Sequence, residues 1–254
     1  MELSPLNWHR RFELQAKWTK DLRLYLYKRL ELENSPRVLE VGCGTGVILS
    51  EFQHLSQASL YGLDINQNHL NLAHVKANSS SFIQGDALKL PFSMASFDLS
   101  FCHYVLLWVT NPLNTIREMA RVTSPGGWVL AMAEPDYGGR IDYPSELSKI
   151  GIWQAESLRN QGADPNMGRK LSSLFHQAGL GSIETGVLGG QWSSPPDHEE
   201  LHNEWTVIMD DLKYIADVGE TKEDLKEFDA DAWSSGERVL YVPTFYAIGT
   251  VQPN

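Results

Sequence analysis

Three carboxylates and three glycines stand where their chemistry would converge on one ligand. Gly42, Gly44 and Gly46 alternate in the stretch VLEVGCGTG, with Glu40 two residues ahead of them and Cys43 and Thr45 between them. Asp64 follows the apolar run SLYGL, and Asp86 follows SFIQG. Glycines lacking a Cβ let a ligand chain lie directly against the backbone. A carboxylate at position 40 would repel a pyrophosphate but hold an ammonium group. Asp64 is placed to accept hydrogen bonds from a ribose diol, and Asp86 from an exocyclic amine. The dinucleotide fingerprint sets its third glycine one position later, where this chain carries Val47. The ligand demanded has an ammonium group, a ribose and an adenine-like base, and no phosphate.

The elements that must position these groups alternate along the chain. RVLEV (37–41), SLYGLD (59–64), SFIQGD (81–86), FDLSFCHYV (97–105) and GWVLAMAEP (127–135) read as strands. VILSEFQHL (47–55), QNHLNLAHVKA (67–77) and LNTIREMARVT (113–123) read as the helices between them. Such βαβ units give a mainly parallel sheet covered on both faces, with ligands at the C-terminal edge of the strands. Ahead of them Phe12, Ala16, Trp18, Leu22, Tyr25, Leu26 and Leu30 recur at helical spacing. That spacing predicts one long amphipathic N-terminal helix over about residues 8–32. Further on, helices are expected at 144–161 and 168–180, a strand at 181–192, an acidic helical stretch at 196–235 and a last strand, TFYAIGTV, at 244–251. We read one domain over residues 1–254, with helical insertions at about 140–165 and 193–238.

Five motifs in order, VLEVGCGTG, YGLDIN, QGDALKLPF, FDLSFCHYVLLWV and RVTSPGGWVLAMAEPD, resemble those of the class I S-adenosylmethionine-dependent methyltransferases. The resemblance is greatest to the branch that modifies small molecules, including quinone-pathway and sterol-like enzymes. S-adenosylmethionine has the ammonium, ribose and adenine that the residues ask for. The resemblance implies an α/β fold: a three-layer αβα, Rossmann-like arrangement on a mainly parallel seven-stranded sheet, whose last strand inserts antiparallel beside the fifth. It also implies cofactor contacts. Glu40 would lie near the ammonium, and the loop of Gly42, Cys43, Gly44, Thr45 and Gly46 around the methionine part. Asp64 would hold the ribose with Ile65 against the adenine, and Asp86 and Ala87 would read the adenine edge. Cys102 and His103 would lie beneath the methionine chain.

Several acceptor classes are disfavoured by what the chain lacks. The N/D-P-P-Y/F element of nucleic-acid amino methylases is replaced by CHYVLLW. The edge aspartate of magnesium-dependent catechol-type enzymes and the paired-glutamate loop of protein arginine methyltransferases are also missing. The edge offers His103, Tyr104 and Trp108, then AEPDYGGR with Asp136, Tyr137 and Arg140. This is the apolar, aromatic rim of a small-molecule pocket. His103, with an intrinsic pKa suited to proton transfer, and Tyr137 are the catalytic candidates. Tyr104, Trp108, Asp136, Tyr137, Arg140 and His202 are the candidates for acceptor contact. Trp8 and Trp18 read as packing aromatics of the first helix, a cap over the cofactor pocket being their other possible role.

The formal net charge of −11 disfavours a nucleic-acid partner, and WHRRF is the lone short basic cluster. Two distant cysteines exclude a disulfide framework, and no run approaches the roughly 18 apolar residues of a membrane span. A soluble, cytoplasmic protein without a membrane partner is expected. The segment His198–His202 matches H-E-x-x-H, yet it sits in an acidic insertion and reads as a solvated helix face, so no metal is expected. The same cofactor residues would also serve a regulatory or partner subunit that binds S-adenosylmethionine without turnover. The attacking atom (O, N or C) and the oligomeric state stay open at this level.

Overall fold

The computed structural model describes residues 4–30, 36–55, 57–187, 198–215 and 222–253. Its main sheet is built from β1 (Arg37–Val41), β2 (Ser59–Asp64), β3 (Ser81–Gln84), β4 (Phe97–Cys102), β5 (Thr123–Pro135), β7 (Gly181–Val187) and β9 (Thr244–Thr250). A two-stranded sheet pairs β6 (Ile141–Tyr143) with β8 (Val239–Tyr241). The main sheet runs in the order β3-β2-β1-β4-β5-β9-β7. The strands from β3 through β5 are parallel, and β9 lies antiparallel between β5 and β7. This is the methyltransferase-type sheet that the motifs implied.

Alternation along each strand assigns the two faces. Leu39 and Val41 of β1, with Val129 and Ala131 of β5, pack with Ile116 and Met119 of α5 (Pro112–Val122) and Phe175 of α7 (Leu171–Gln177). On the opposite face Val38, Leu99, Phe101 and Leu130 join Leu49 and Phe52 of α3 (Val47–Leu55) and Leu70 of α4 (Gln67–Lys76). Each fully buried leucine or phenylalanine here contributes roughly 1.5–3 kcal/mol. Helix starts follow local chemistry. Asn111 accepts the N–H of Asn114 at 3.0 Å ahead of Pro112, and Asn66 accepts those of Asn68 and His69 at the head of α4.

The expected single N-terminal helix is two, α1 (Pro5–Trp18) and α2 (Lys20–Arg29), broken at Thr19. Thr19 is fully buried, and its hydroxyl accepts from Arg23 Nη1 at 2.5 Å and meets His103 Nε2 at 2.8 Å. The break re-phases the apolar stripe. Ala16, Leu22, Leu26 and Leu30 reach the core, while Trp18 and Tyr25 stay 58% and 46% exposed. The fourth strand also ends earlier than its apolar run suggested, because Tyr104 turns the chain with φ +56. The third stops at Gln84, and positions 188–192 of the expected 181–192 strand lie outside the described residues.

The segments that follow β5 and β7 pack against each other. Besides the β6–β8 pairing, α6 (Ser148–Asn160), α8 (His198–Asp211) and α9 (Lys222–Ser235) share a third apolar cluster of Leu147, Ile150, Trp205, Ile208, Leu212 and Ala232. Trp205, isolated in a polar stretch of sequence, is buried and donates its indole N–H to Asp229 at 2.9 Å. Arg238 is buried between Asp229 (2.7 Å) and Asp142 (2.9 Å). Among the described residues no helix is long and apolar enough to cross a membrane.

Candidate active site

β1 delivers its Gly-rich sequence into a tight turn before α3. The amides of Gly42 and Cys43 donate to Leu63 O at 2.7 and 3.0 Å, tying the loop to the end of β2. Asp64 completes the tie. Its carboxylate accepts from Gly44 N and from Asn66 N, each at 2.8 Å. Glycine is required at two of the positions. Gly42 and Gly44 have φ of +73 and +51, and an added Cβ would stand 2.4 Å from Val105 Cγ2 and 2.8 Å from Phe12 Cε2 respectively.

A cavity of about 550 Å³ opens beside this loop, at the C-terminal edge of β1, β2 and β4. Glu40 lies on its wall, 2% exposed, and its Oε2 has no hydrogen-bond partner. Burial raises its carboxyl well above the usual range, helped by Asp64 and Glu51 and opposed by Arg23. A buried carboxylate oxygen without a donor is costly unless a ligand supplies one.

The roof is α1. Trp8, Arg11, Phe12 and Gln15 line the cavity from one face of that helix. Trp8 stacks on Phe12 at 5.6 Å, and the Phe12 ring meets His69 edge-on at 5.7 Å. Side chains fasten the roof to the sheet. His9 Nδ1 lies 2.7 Å from Thr45 Oγ1, Thr19 meets His103, and Arg23 grips Glu51 at 2.8 and 2.6 Å. Burial lowers the pKa of His9 and takes that of His103 down to about 3. Both imidazoles are therefore neutral at ordinary pH.

The opposite wall is the turn after β4. Buried Glu134 accepts the amides of Val105, Leu106 and Leu107 at 2.9, 2.8 and 3.1 Å. Burial pushes its carboxyl up to about 8 against the pull of those three donors. The clamp fixes the turn that carries His103, Tyr104, Val105 and Trp108 onto the cavity wall.

The chain is similar to known proteins. The family described as "Methyltransferase domain" matches residues 39–131. A demethylmenaquinone methyltransferase of Bacillus licheniformis is 31% identical over 199 residues, covering 68% of this chain and 81% of that protein. The chain belongs to the class I S-adenosylmethionine-dependent methyltransferases. An uncharacterized methyltransferase of Schizosaccharomyces pombe is 31% identical over 153 residues, 55% of either protein. A solved structure of Haemonchus contortus phosphoethanolamine N-methyltransferase 2, with phosphomonomethylethanolamine and S-adenosylhomocysteine, superposes with a TM-score of 0.60 at 17% identity. That match covers 95% of this chain and 57% of the other, and it is a likeness of fold.

The cofactor of this methyltransferase is S-adenosylmethionine. The donor-starved oxygen of Glu40 and the bare backbone at Gly44 fit its ammonium and its aminoacyl chain. Of the positions expected around it, Glu40, Gly42, Cys43 and Gly44 line the cavity at the loop. Asp64 and Ile65 line it after β2, Asp86 and Ala87 after β3, and His103 after β4. Thr45, Gly46 and Cys102 do not. The Thr45 hydroxyl is spent on His9, Gly46 faces Ala73 and Ala77 of the α4 segment, and Cys102 is fully buried in the core. Both thiols are pushed up by burial, as inert core cysteines are.

Among the acceptor candidates, Tyr104 and Trp108 line the cavity, whereas Asp136, Tyr137, Arg140 and His202 do not. Buried Asp136 is paired with Arg169, and Arg140 is held by Asp142 and Gln154, each at 2.6 Å. These side chains are engaged by protein partners away from the cavity. His202 is exposed on α8. The side chains of His198, Glu199 and Glu200 lie outside the described residues, and the described ones contain no cluster able to hold a metal. Sequence reasoning overlooked Glu134, Phe12, Gln15 and His69. A charged residue inside the apolar run WVLAMAEP was the signal available for Glu134.

Proposed function

We propose that this methyltransferase acts on a small organic acceptor, at oxygen, nitrogen or carbon. The observation that carries the reading is one continuous cavity. It runs from the Gly loop to an aromatic and apolar wall of Trp8, Trp108 and Val109 under the α1 roof. Its volume of about 550 Å³ sits within the range of roughly 300–1,000 Å³ usual for small-molecule sites. The Bacillus licheniformis relative, a demethylmenaquinone methyltransferase, supports a small acceptor.

When bound, S-adenosylmethionine supplies a methyl group already activated on sulfonium. The chain's own residues then have three tasks. Glu40, Asp64 and Asp86 hold the cofactor by its ammonium, ribose and adenine. Tyr104, Val105 and Trp108, fixed through Glu134, orient the acceptor. The α1 roof excludes water. Alignment of two bound reactants accounts for much of the barrier lowering in such a transfer. His103 is a cavity wall and an anchor for Thr19 rather than the general base considered from sequence. A base of pKa about 3 holds a proton too weakly for neutral pH.

The test is calorimetry with S-adenosylhomocysteine, with Asp64→Ala as control, followed by a small-molecule acceptor screen that reads S-adenosylhomocysteine release. We expect micromolar binding, weakened in the variant, and turnover of at least one small acceptor. Binding without small-molecule turnover, with labelled methyl passing instead to protein or nucleic acid, would overturn the reading.

A further inference from the structure

A single cation stands on the cavity wall. Among the described residues, Arg11 is the sole lysine or arginine that lines it. Its guanidinium carbon lies 5.2 Å from the centre of the Trp8 ring, three residues earlier on the same helix face. Among the described residues it makes no hydrogen bond and no ion pair. Four other arginines are each committed to protein carboxylates: Arg23 to Glu51, Arg140 to Asp142, Arg169 to Asp136 and Arg238 to Asp142 and Asp229.

The surroundings narrow what Arg11 could meet. Its neighbours on the roof are Trp8, Phe12 and Gln15, and the carboxylates of the cavity, Glu40, Asp64 and Asp86, gather at the loop end. The charge of Arg11 acts on the Tyr137 phenol and on nearly buried Asp211 of α8, yet neither pairs with it. Among the described residues the side chain of Asp211 accepts from Gln154 Nε2, at 3.3 Å. A guanidinium resting on an aromatic face and held by no protein carboxylate presents its planar fork to a ligand.

We propose that Arg11 recognises a carboxylate on the acceptor, so that the substrate class is a small aromatic or apolar monocarboxylic acid. The fork matches a carboxylate in two parallel hydrogen bonds. One guanidinium sharing a cavity with three acidic side chains suits a monoanion over a doubly charged phosphate. The apolar wall then takes the body of the acid. This inference rests on the small-acceptor reading above.

The experiment uses full-length protein saturated with S-adenosylhomocysteine and probes matched for shape. The sets are benzoate, benzamide and benzylamine; indole-3-acetate, indole-3-acetamide and tryptamine; hexanoate, hexanamide and hexylamine. Ligand-observed saturation-transfer NMR reads binding. We expect acids to bind about tenfold better than their amides and amines, a preference lost in Arg11→Met and partly kept in Arg11→Lys. S-adenosylhomocysteine affinity, read by calorimetry on each variant, reports whether the cavity is intact. Equal signals from acids and amides, or an acid preference that survives Arg11→Met, would overturn the carboxylate assignment while leaving the small-acceptor reading in place. Silence from every probe on cofactor-loaded protein overturns both.

Discussion

At the loop end of the cavity, Gly42, Gly44, Asp64 and Asp86 all lie within three residues of a strand end. At the roof end, Trp8, Arg11 and Phe12 arrive on a helix far from any strand of the sheet. The loop end is organised by backbone. Leu63 O and the carboxylate of its chain neighbour Asp64 take the loop amides directly, so the pairing of β1 with β2 and one side chain at the end of β2 set the geometry. The roof end is organised by side chains that span long stretches of sequence, His9 to Thr45 across 36 positions and Thr19 to His103 across 84. The comparison teaches a division of labour. A fixed grip suits a cofactor of constant shape, and a roof held by a few side-chain bonds can be re-cut for a different acceptor.

The largest effect should come from the buried ion pairs around Arg238, away from both ends. Arg238→Ala leaves Asp142 and Asp229 buried without their shared partner, and we expect a loss of about 3–5 kcal/mol in urea unfolding. If the two ends are built independently, the folded variant binds S-adenosylhomocysteine within a few-fold of wild type. Affinity lost in step with stability would break the comparison. Next, Gly44→Val puts a branched side chain at φ +51 and into the Phe12 ring. Affinity should fall about 100-fold, or about 2.7 kcal/mol, with a native circular dichroism spectrum.

A pH test isolates the side-chain bonds of the roof. The unfolded chain protonates His103 near 6.5, whereas the folded chain resists until about 3, so acid favours the unfolded state. Between pH 7 and 5, wild type should lose roughly 2 kcal/mol relative to His103→Gln in urea titrations. A parallel pair of curves would show that this imidazole is not held neutral by the roof. The smallest effect sharpens the loop end. Glu40→Gln should weaken S-adenosylhomocysteine about tenfold, or about 1.4 kcal/mol. Because burial keeps the free Glu40 carboxyl raised, arrival of an ammonium should expel its proton, and wild-type affinity should rise with pH. Binding enthalpies that vary with buffer in wild type but not in Glu40→Gln would establish the release.

What the sequence disclosed follows the same division. The sheet, the Gly loop and the carboxylates at positions 40, 64 and 86 were legible because strand alternation and turn chemistry are local. Thr19 was not legible as a break, since its conformation is set by Arg23 and His103, one of them far along the chain. The same holds for Asp136 and Arg140. Their sequence neighbourhood suggested a pocket rim, and their partners Arg169 and Gln154 draw them into the scaffold instead. Trp205 stood out in sequence only as an aromatic in a polar stretch, and its burial in the cluster shared by α6, α8 and α9 depends on contacts distant along the chain, as does that of Arg238 between Asp142 and Asp229.

The four roof residues that face the cavity, Trp8, Arg11, Phe12 and Gln15, fall within a single run of eight positions. A short synthetic cassette replacing those codons would therefore recut one whole wall of the chamber while every strand of the sheet is inherited unchanged.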